Sequence, residues 1–271
     1  MSKENQQLVV NLAAFGDGRW GKTYFQGLGL DQAGLVSFRT NRGGTIISFR
    51  VETSFVRGDP LDLQTQPECQ CAALFCDFTH FDRLGLSLEY SYVRRLNDLR
   101  RSQTQVPVVA IGVNGDKNPD YARRFFRFFV KGDDIPFYLA CQRGFYDGEP
   151  LLVLARALTN DFELDFVVKP GQLMGAAYWD VHFLQALPEG VWRELQQHNR
   201  SAVADMERVA MVRELQPVLS EMTNTVAVLK KLENGDAAPL IEPLVQWYQR
   251  QRVAIAQRLI QLDPWGIIQP L

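Results

Sequence analysis

The chain has 271 residues, of which 46% are apolar and 22% charged, with a formal net charge of −2; that supplies material for one large core or two ordinary ones, and no global attraction to nucleic acid or acidic lipid. Its four cysteines, Cys69, Cys71, Cys76 and Cys141, form no C-x-x-C pair and its three histidines are scattered, so neither a zinc site nor a disulfide framework is indicated. No signal-type stretch follows Met1, no apolar run reaches spanning length, and Ile267 to Leu271 contain no cysteine, so the expectation is a cytoplasmic protein with reduced thiols and no prenyl membrane anchor.

In chain order, Leu8 to Phe15 reads as a short buried strand. It runs directly into Gly16-Asp17-Gly18-Arg19-Trp20-Gly21-Lys22-Thr23, which fits the phosphate-binding pattern G-x-x-x-x-G-K-[ST]. From Lys22 the sequence lacks breakers until Gly27, so the motif lies at a strand-to-helix junction, the context in which such a loop works. Gly16, Gly18 and Gly21 let successive backbone N–H groups face an anion, and the start of the following helix adds partial positive charge. Lys22 is placed to reach the β- and γ-phosphates, and the Thr23 hydroxyl to meet Mg²⁺, a hard cation that binds oxygen ligands and substrate phosphates. Arg19 and Trp20 join the candidate binding residues; Trp20 either packs over the phosphates or fills a surface groove.

Thr45 to Val56 looks like a strand, Arg57-Gly58-Asp59-Pro60 turns, and Leu61 to Gln64 returns, which together read as a β-hairpin. The continuous apolar runs at 71–78 and 106–113 suit strands buried on both faces. Helical spacing recurs at 84–101, 120–130 and 149–158, with a strand at 135–141. This alternation predicts an α/β protein with a mostly parallel sheet. After residue 170, Gly171, Gly175 and Pro188 mark a loop-rich passage, and strand signals vanish from Val191 onward. One apolar stripe, Leu215, Leu219, Met222, Val226, Leu229 and Leu232, is ended by Asn234-Gly235; Ile241, Leu244, Tyr248, Ile255, Leu259 and Leu262 form a second. They predict a helical hairpin or small bundle whose stripes serve as core or as a groove for a partner helix.

Several segments together outline a family. The phosphate loop, the run Thr45-Ile46-Ile47-Ser48-Phe49-Arg50-Val51, Phe75-Cys76-Asp77-Phe78-Thr79, the run from Val106 to Asp116 and Ile135 to Gln142 resemble, in order and spacing, the motifs of the Ras superfamily of small GTPases, its Ras and Rab branches above all. The resemblance implies a Ras-like P-loop nucleotide-binding domain over residues 1–168, followed by an α-helical C-terminal domain at 169–271 without counterpart in that family. It further implies GTP or GDP as ligand, Mg²⁺ held by Thr23 and by Thr45 as the switch threonine, a regulatory or effector protein as partner, and no nucleic acid.

The departures from the family pattern shape the functional expectation. Val106 to Asp116 resembles V-P-I-V-L-V-G-N-K-x-D without a gap. Asp116 keeps the carboxylate that accepts hydrogen bonds from guanine N1 and its exocyclic amine, a donor pair adenine lacks. The motif's asparagine is Val113 and its lysine Asn114, which removes a loop-bracing hydrogen bond and the stem that lies over the base. Ala140-Cys141-Gln142 replaces Ser-Ala-Lys; Cys141 either lines the base or is a buried small residue. The family's Asp-x-x-Gly-Gln has no equivalent in Leu63 to Gln70, which leaves Asp62 and Gln66 as weak substitutes and no assigned catalytic residue. Phosphoryl transfer rests on positioning and electrostatics, so hydrolysis is expected to be weak or absent. The alternative expectation is a nucleotide-free pseudo-GTPase scaffold that recognises proteins through its helical region.

Overall fold

The computed structural model describes residues 6–16, 33–40, 46–55, 70–78, 92–94, 96–97, 106–115, 118–140, 149–167, 189–232 and 238–268. Seven strands form one sheet: β1 (Gln6–Gly16), β2 (Ala33–Arg39), β3 (Ile46–Phe55), β4 (Cys71–Asp77), β5 (Val108–Val113), β6 (Phe137–Ala140) and β7 (Asp165–Phe166). Their order across the sheet is β6-β5-β4-β1-β3-β2-β7. β1 pairs in parallel with β3 and β4, and β4-β5 and β5-β6 are also parallel; β2 runs antiparallel to both β3 and β7. The sheet is therefore mostly parallel, as the alternation of elements predicts. Its middle strands are the sequence's continuous apolar runs: every residue of β4 is buried, as are Val109 to Val113 of β5 and Leu12 to Phe15 of β1, the pattern of strands with both faces covered.

The turn and the returning half of the hairpin expected after β3 lie outside the described residues. The antiparallel partner of β3 is the preceding strand β2, with Ala33 opposite Glu52 and Arg39 opposite Ile46, while the other edge of β3 is taken by β1 from Gln6↔Ile47 to Ala14↔Phe55. The helix expected from Lys22 also lies outside the described residues. Strand β2 alternates, with Val36 and Phe38 buried and Leu35 exposed. Phe38 stacks on Phe166 and meets Phe49 edge-on, both at 5.1 Å between centroids. Beyond the strand the Thr40 hydroxyl donates to Asp161 at 2.6 Å.

Helix α1 (Pro119–Phe125) starts where Asn118 accepts a hydrogen bond from the Tyr121 N–H at 3.3 Å, with proline at its first turn and Asp120 beside the positive end of the helix. It continues into a π-helical turn, Phe126–Val130. This stretch buries Tyr121, Ala122, Phe125, Phe126 and Val130 in a cluster with Phe15, Leu74, Phe78 and Phe137; Phe125 meets Phe78 edge-on at 5.3 Å and Tyr92 at 5.1 Å. The described residues at 92–94 and 96–97 are helical, in line with the spacing there, and the Tyr92 hydroxyl donates to Asp133. Helix α2 (Glu149–Thr159) buries Leu151 to Ala155.

Helix α3 (Glu189–Leu232) begins in the same core through Val191 and Leu195. One turn on, the Asn199 amide accepts from the Phe137 N–H and donates to the Phe137 carbonyl, both at 2.9 Å, and the His198 Nε2 lies 2.9 Å from the Ile135 carbonyl. A side-chain amide thus fills the place a further strand would take beside β6, which closes an open sheet edge.

The chain forms two compact units, residues 1–204 and 205–271. Because its first turns bury Val191 and Leu195 with the sheet, α3 carries the first unit well past residue 168. In the second unit the rest of α3 runs antiparallel to α4 (Ala238–Leu262): Arg208 donates to the Leu262 carbonyl and Gln216 to the Ile268 carbonyl, each at 2.9 Å. The two helices form a hairpin. Val212, Val226 and Val245 are buried within it, while Leu232 and Leu244, expected in the packed stripes, are 56% and 50% exposed. Among the described residues no helix is long and apolar enough to cross a membrane.

Candidate functional site

Sheet topology singles out one place before any motif is considered. After β1 the chain builds β2 and β3 on one side of it, then crosses to build β4, β5 and β6 on the other. The strand order therefore reverses at β1, and in open sheets of this kind ligands bind in the crevice outside the carboxyl ends of the strands at such a reversal. Gly16, the first residue of the phosphate-loop pattern, is the last residue of β1 and pairs with Phe75 of β4. The rest of that pattern, Gly18, Arg19, Trp20, Gly21, Lys22 and Thr23, lies outside the described residues, as do Thr45, Asp62, Gln66, Asp116 and Cys141.

The described neighbours of these positions converge on one edge. Asp77 at the end of β4 pairs with Val113 at the end of β5, and Val113 with Ala140 at the end of β6. Three of the sequence motifs therefore leave the sheet from the carboxyl ends of parallel strands. Val113 is a buried strand residue, 5% exposed, whose carbonyl accepts from the Phe78 N–H at 3.1 Å.

Asn114 is the residue that sequence reasoning missed. Its backbone is left-handed, φ 59°, a conformation asparagine tolerates better than most side chains. The side chain is 1% exposed and its Nδ2 donates to Asp77 Oδ1 at 2.9 Å. Since a carboxylate only accepts, this bond fixes which end of the amide faces Asp77. Asn114 thus ties the end of β5 to the end of β4. Among the described residues, the buried Asn114 Oδ1 has no hydrogen-bond partner. Immediately beyond, the Gly115 carbonyl accepts from the Asn118 N–H at 3.3 Å and Asn118 caps α1, so the chain is anchored on both sides of Asp116 and Lys117.

Beneath this edge Gly112 is fixed by packing. A Cβ there would lie 2.4 Å from Phe78 Cε2 and 2.8 Å from Phe137 Cζ, so only glycine lets these two rings close over β5. The signals for the site's polar part were present but dispersed: Asn114-Gly115 is a dipeptide that favours left-handed turns, and Asp77 ends a strand that is otherwise apolar. Among the described residues no group of three or more His, Cys, Asp or Glu side chains is placed to hold a metal. No protein-family model matches the chain, and a search of curated proteins returns no match.

Proposed function

We propose that the protein binds a guanine nucleotide, GTP or GDP, with Mg²⁺ outside the carboxyl edge of a Ras-like P-loop domain, hydrolyses it slowly or not at all, and acts through protein partners. The observation that carries this reading is the coincidence of two independent signals: the pattern from Gly16 to Thr23 starts at the last residue of β1, a strand where the order of the described sheet reverses. In this reading the backbone after Gly16 and Lys22 hold the phosphates. The hydroxyls of Thr23 and Thr45 complete the shell of a Mg²⁺ that arrives with them, which needs no cluster of acidic ligands. Asp116 reads guanine. With only Asp62 and Gln66 as weak substitutes for the missing Asp-x-x-Gly-Gln element, an attacking water is held less well oriented than in the family.

Isothermal titration with GDP, GTP and ADP in the presence of Mg²⁺ tests the proposal. Wild type should bind guanine nucleotides in preference to ADP. Lys22→Ala should weaken binding at least about tenfold, the worth of one charge-assisted hydrogen bond, with its circular dichroism unchanged. Equal affinity in the folded variant removes the loop from function. A second reading, the nucleotide-free scaffold, has its own support. Leu240, Leu244 and Trp247 follow one another on one face of α4 and are 78%, 50% and 52% exposed, a stripe suited to a protein partner. Absence of binding to every nucleotide favours that reading.

A further inference from the structure

The second compact unit, residues 205–271, buries little of its apolar surface. Among its described residues only Val212, Val226 and Val245 are buried, because two helices side by side leave both faces of the pair open, whereas four enclose a core. The open surface is patterned. On α4, Leu240, Leu244 and Trp247 are exposed at the i, i+4, i+7 spacing of one helix face; on α3, Val228 and Leu232 are exposed four residues apart, and Glu221, Val228 and Leu229 line a shallow groove.

Charge is divided between the two helices. From Arg213 to Lys230, α3 carries only Glu214 and Glu221 as charged residues in between; from Glu242 to Asp263, α4 carries only Arg250, Arg252 and Arg258. Glu221 and Arg250 are exposed and form no ion pair among the described residues. Each lies five residues from a buried valine, Val226 or Val245, hence about 140° round its helix from the seam of the hairpin, and so points away from the neighbouring helix. The bond from Arg208 to the Leu262 carbonyl fixes the register of the hairpin, in which Glu221 and Arg250 stand at nearly the same height.

We propose that this face is covered by a second copy of the chain, with α4 of each copy against α3 of the other in a two-fold four-helix bundle. A two-fold axis parallel to the helices keeps every height unchanged, so it sets Glu221 of one copy beside Arg250 of the second, twice per dimer, and lays the Leu240, Leu244 and Trp247 stripe against the second copy's α3. Opposite charge on the two helices selects this pairing over α3 on α3 or α4 on α4, which sets like charges together. The area suffices: a face about 37 Å long, the 25 residues of α4, and two helices or roughly 20 Å wide covers about 700 Å² on each copy, which is in the range of stable interfaces. The contact involves residues 205–271 alone and holds whether or not the first unit takes a nucleotide.

The test is the mass of the full chain in solution, by sedimentation over a range of concentrations. Wild type should run at twice the mass of a single chain. Leu244→Asp, at an exposed position, should run as a single chain with its circular dichroism unchanged. Glu221→Arg and Arg250→Glu should each weaken association at least about tenfold by bringing like charges together. An equimolar mixture of these two variants should recover it, since the mixed dimer has opposite charges at both contacts. No recovery on mixing overturns the proposal, because a pair acting within one chain, or a surface with no role, gives that result. A wild type of single-chain mass up to about 100 µM overturns it too, and leaves the stripe to a different protein or to a lipid surface. So does a dimer that Leu244→Asp and both charge reversals leave intact, which puts its contact elsewhere. If Leu244→Asp does not fold, the mixing experiment decides alone.

Discussion

Gly112 and Asn114 stand two residues apart at the end of β5, and each was visible in the sequence for a different reason than the one that makes it matter. Gly112 matches a glycine of the motif the sequence resembles; in the structure its missing side chain leaves room for Phe78 and Phe137. Gly112→Ala would place a methyl group 2.4 Å from Phe78 and 2.8 Å from Phe137, an overpacking that costs about 1–3 kcal/mol. Urea unfolding should show that loss, and an unchanged midpoint would mean the two rings have room to move. Asn114 looked like a motif lysine lost. Its side chain instead bonds Asp77, on a neighbouring strand, and no local pattern reports a bond between side chains so far apart in sequence.

Elements were legible in proportion to the length of their pattern. β1, β4, β5 and β6 are apolar runs, β3 alternates apolar with polar residues over Phe49 to Thr53, and α1 carries helical spacing from residue 120. β2 escaped notice because its in-and-out alternation covers only Leu35 to Arg39 after an Ala33-Gly34 start, and the two residues of β7 are too few to carry a period. The contact that closes β6 was equally hidden, since Asn199 is one polar residue on a long helix. Asn199→Ala would strip both hydrogen bonds from the Phe137 backbone, in a residue 0% exposed, and should destabilise the protein by about 1–3 kcal/mol. Chemical denaturation combined with amide exchange at Phe137 measures this. Equal stability and protection would show that water or a neighbouring group satisfies the edge.

At the scale of the whole molecule, the alternation of strands and helices was enough to foresee a mostly parallel sheet, but strand order is set by long-range packing and was not readable. That order is what gives the motif its meaning, because the reversal at β1 falls on the residue where the glycine pattern begins. The helical region was legible as a hairpin from its stripes. The division between compact units, at Ala204 and Asp205, was not, since α3 passes through it without a change of composition. The central claim is that the carboxyl edge of the sheet holds a guanine nucleotide, and the most direct measurement is what the purified protein carries. Denaturing it and chromatographing the released small molecules should yield GDP or GTP in an amount approaching one per chain from wild type and far less from Lys22→Ala. Release of no nucleotide, together with no uptake of GDP or GTP when Mg²⁺ is supplied, would contradict the account.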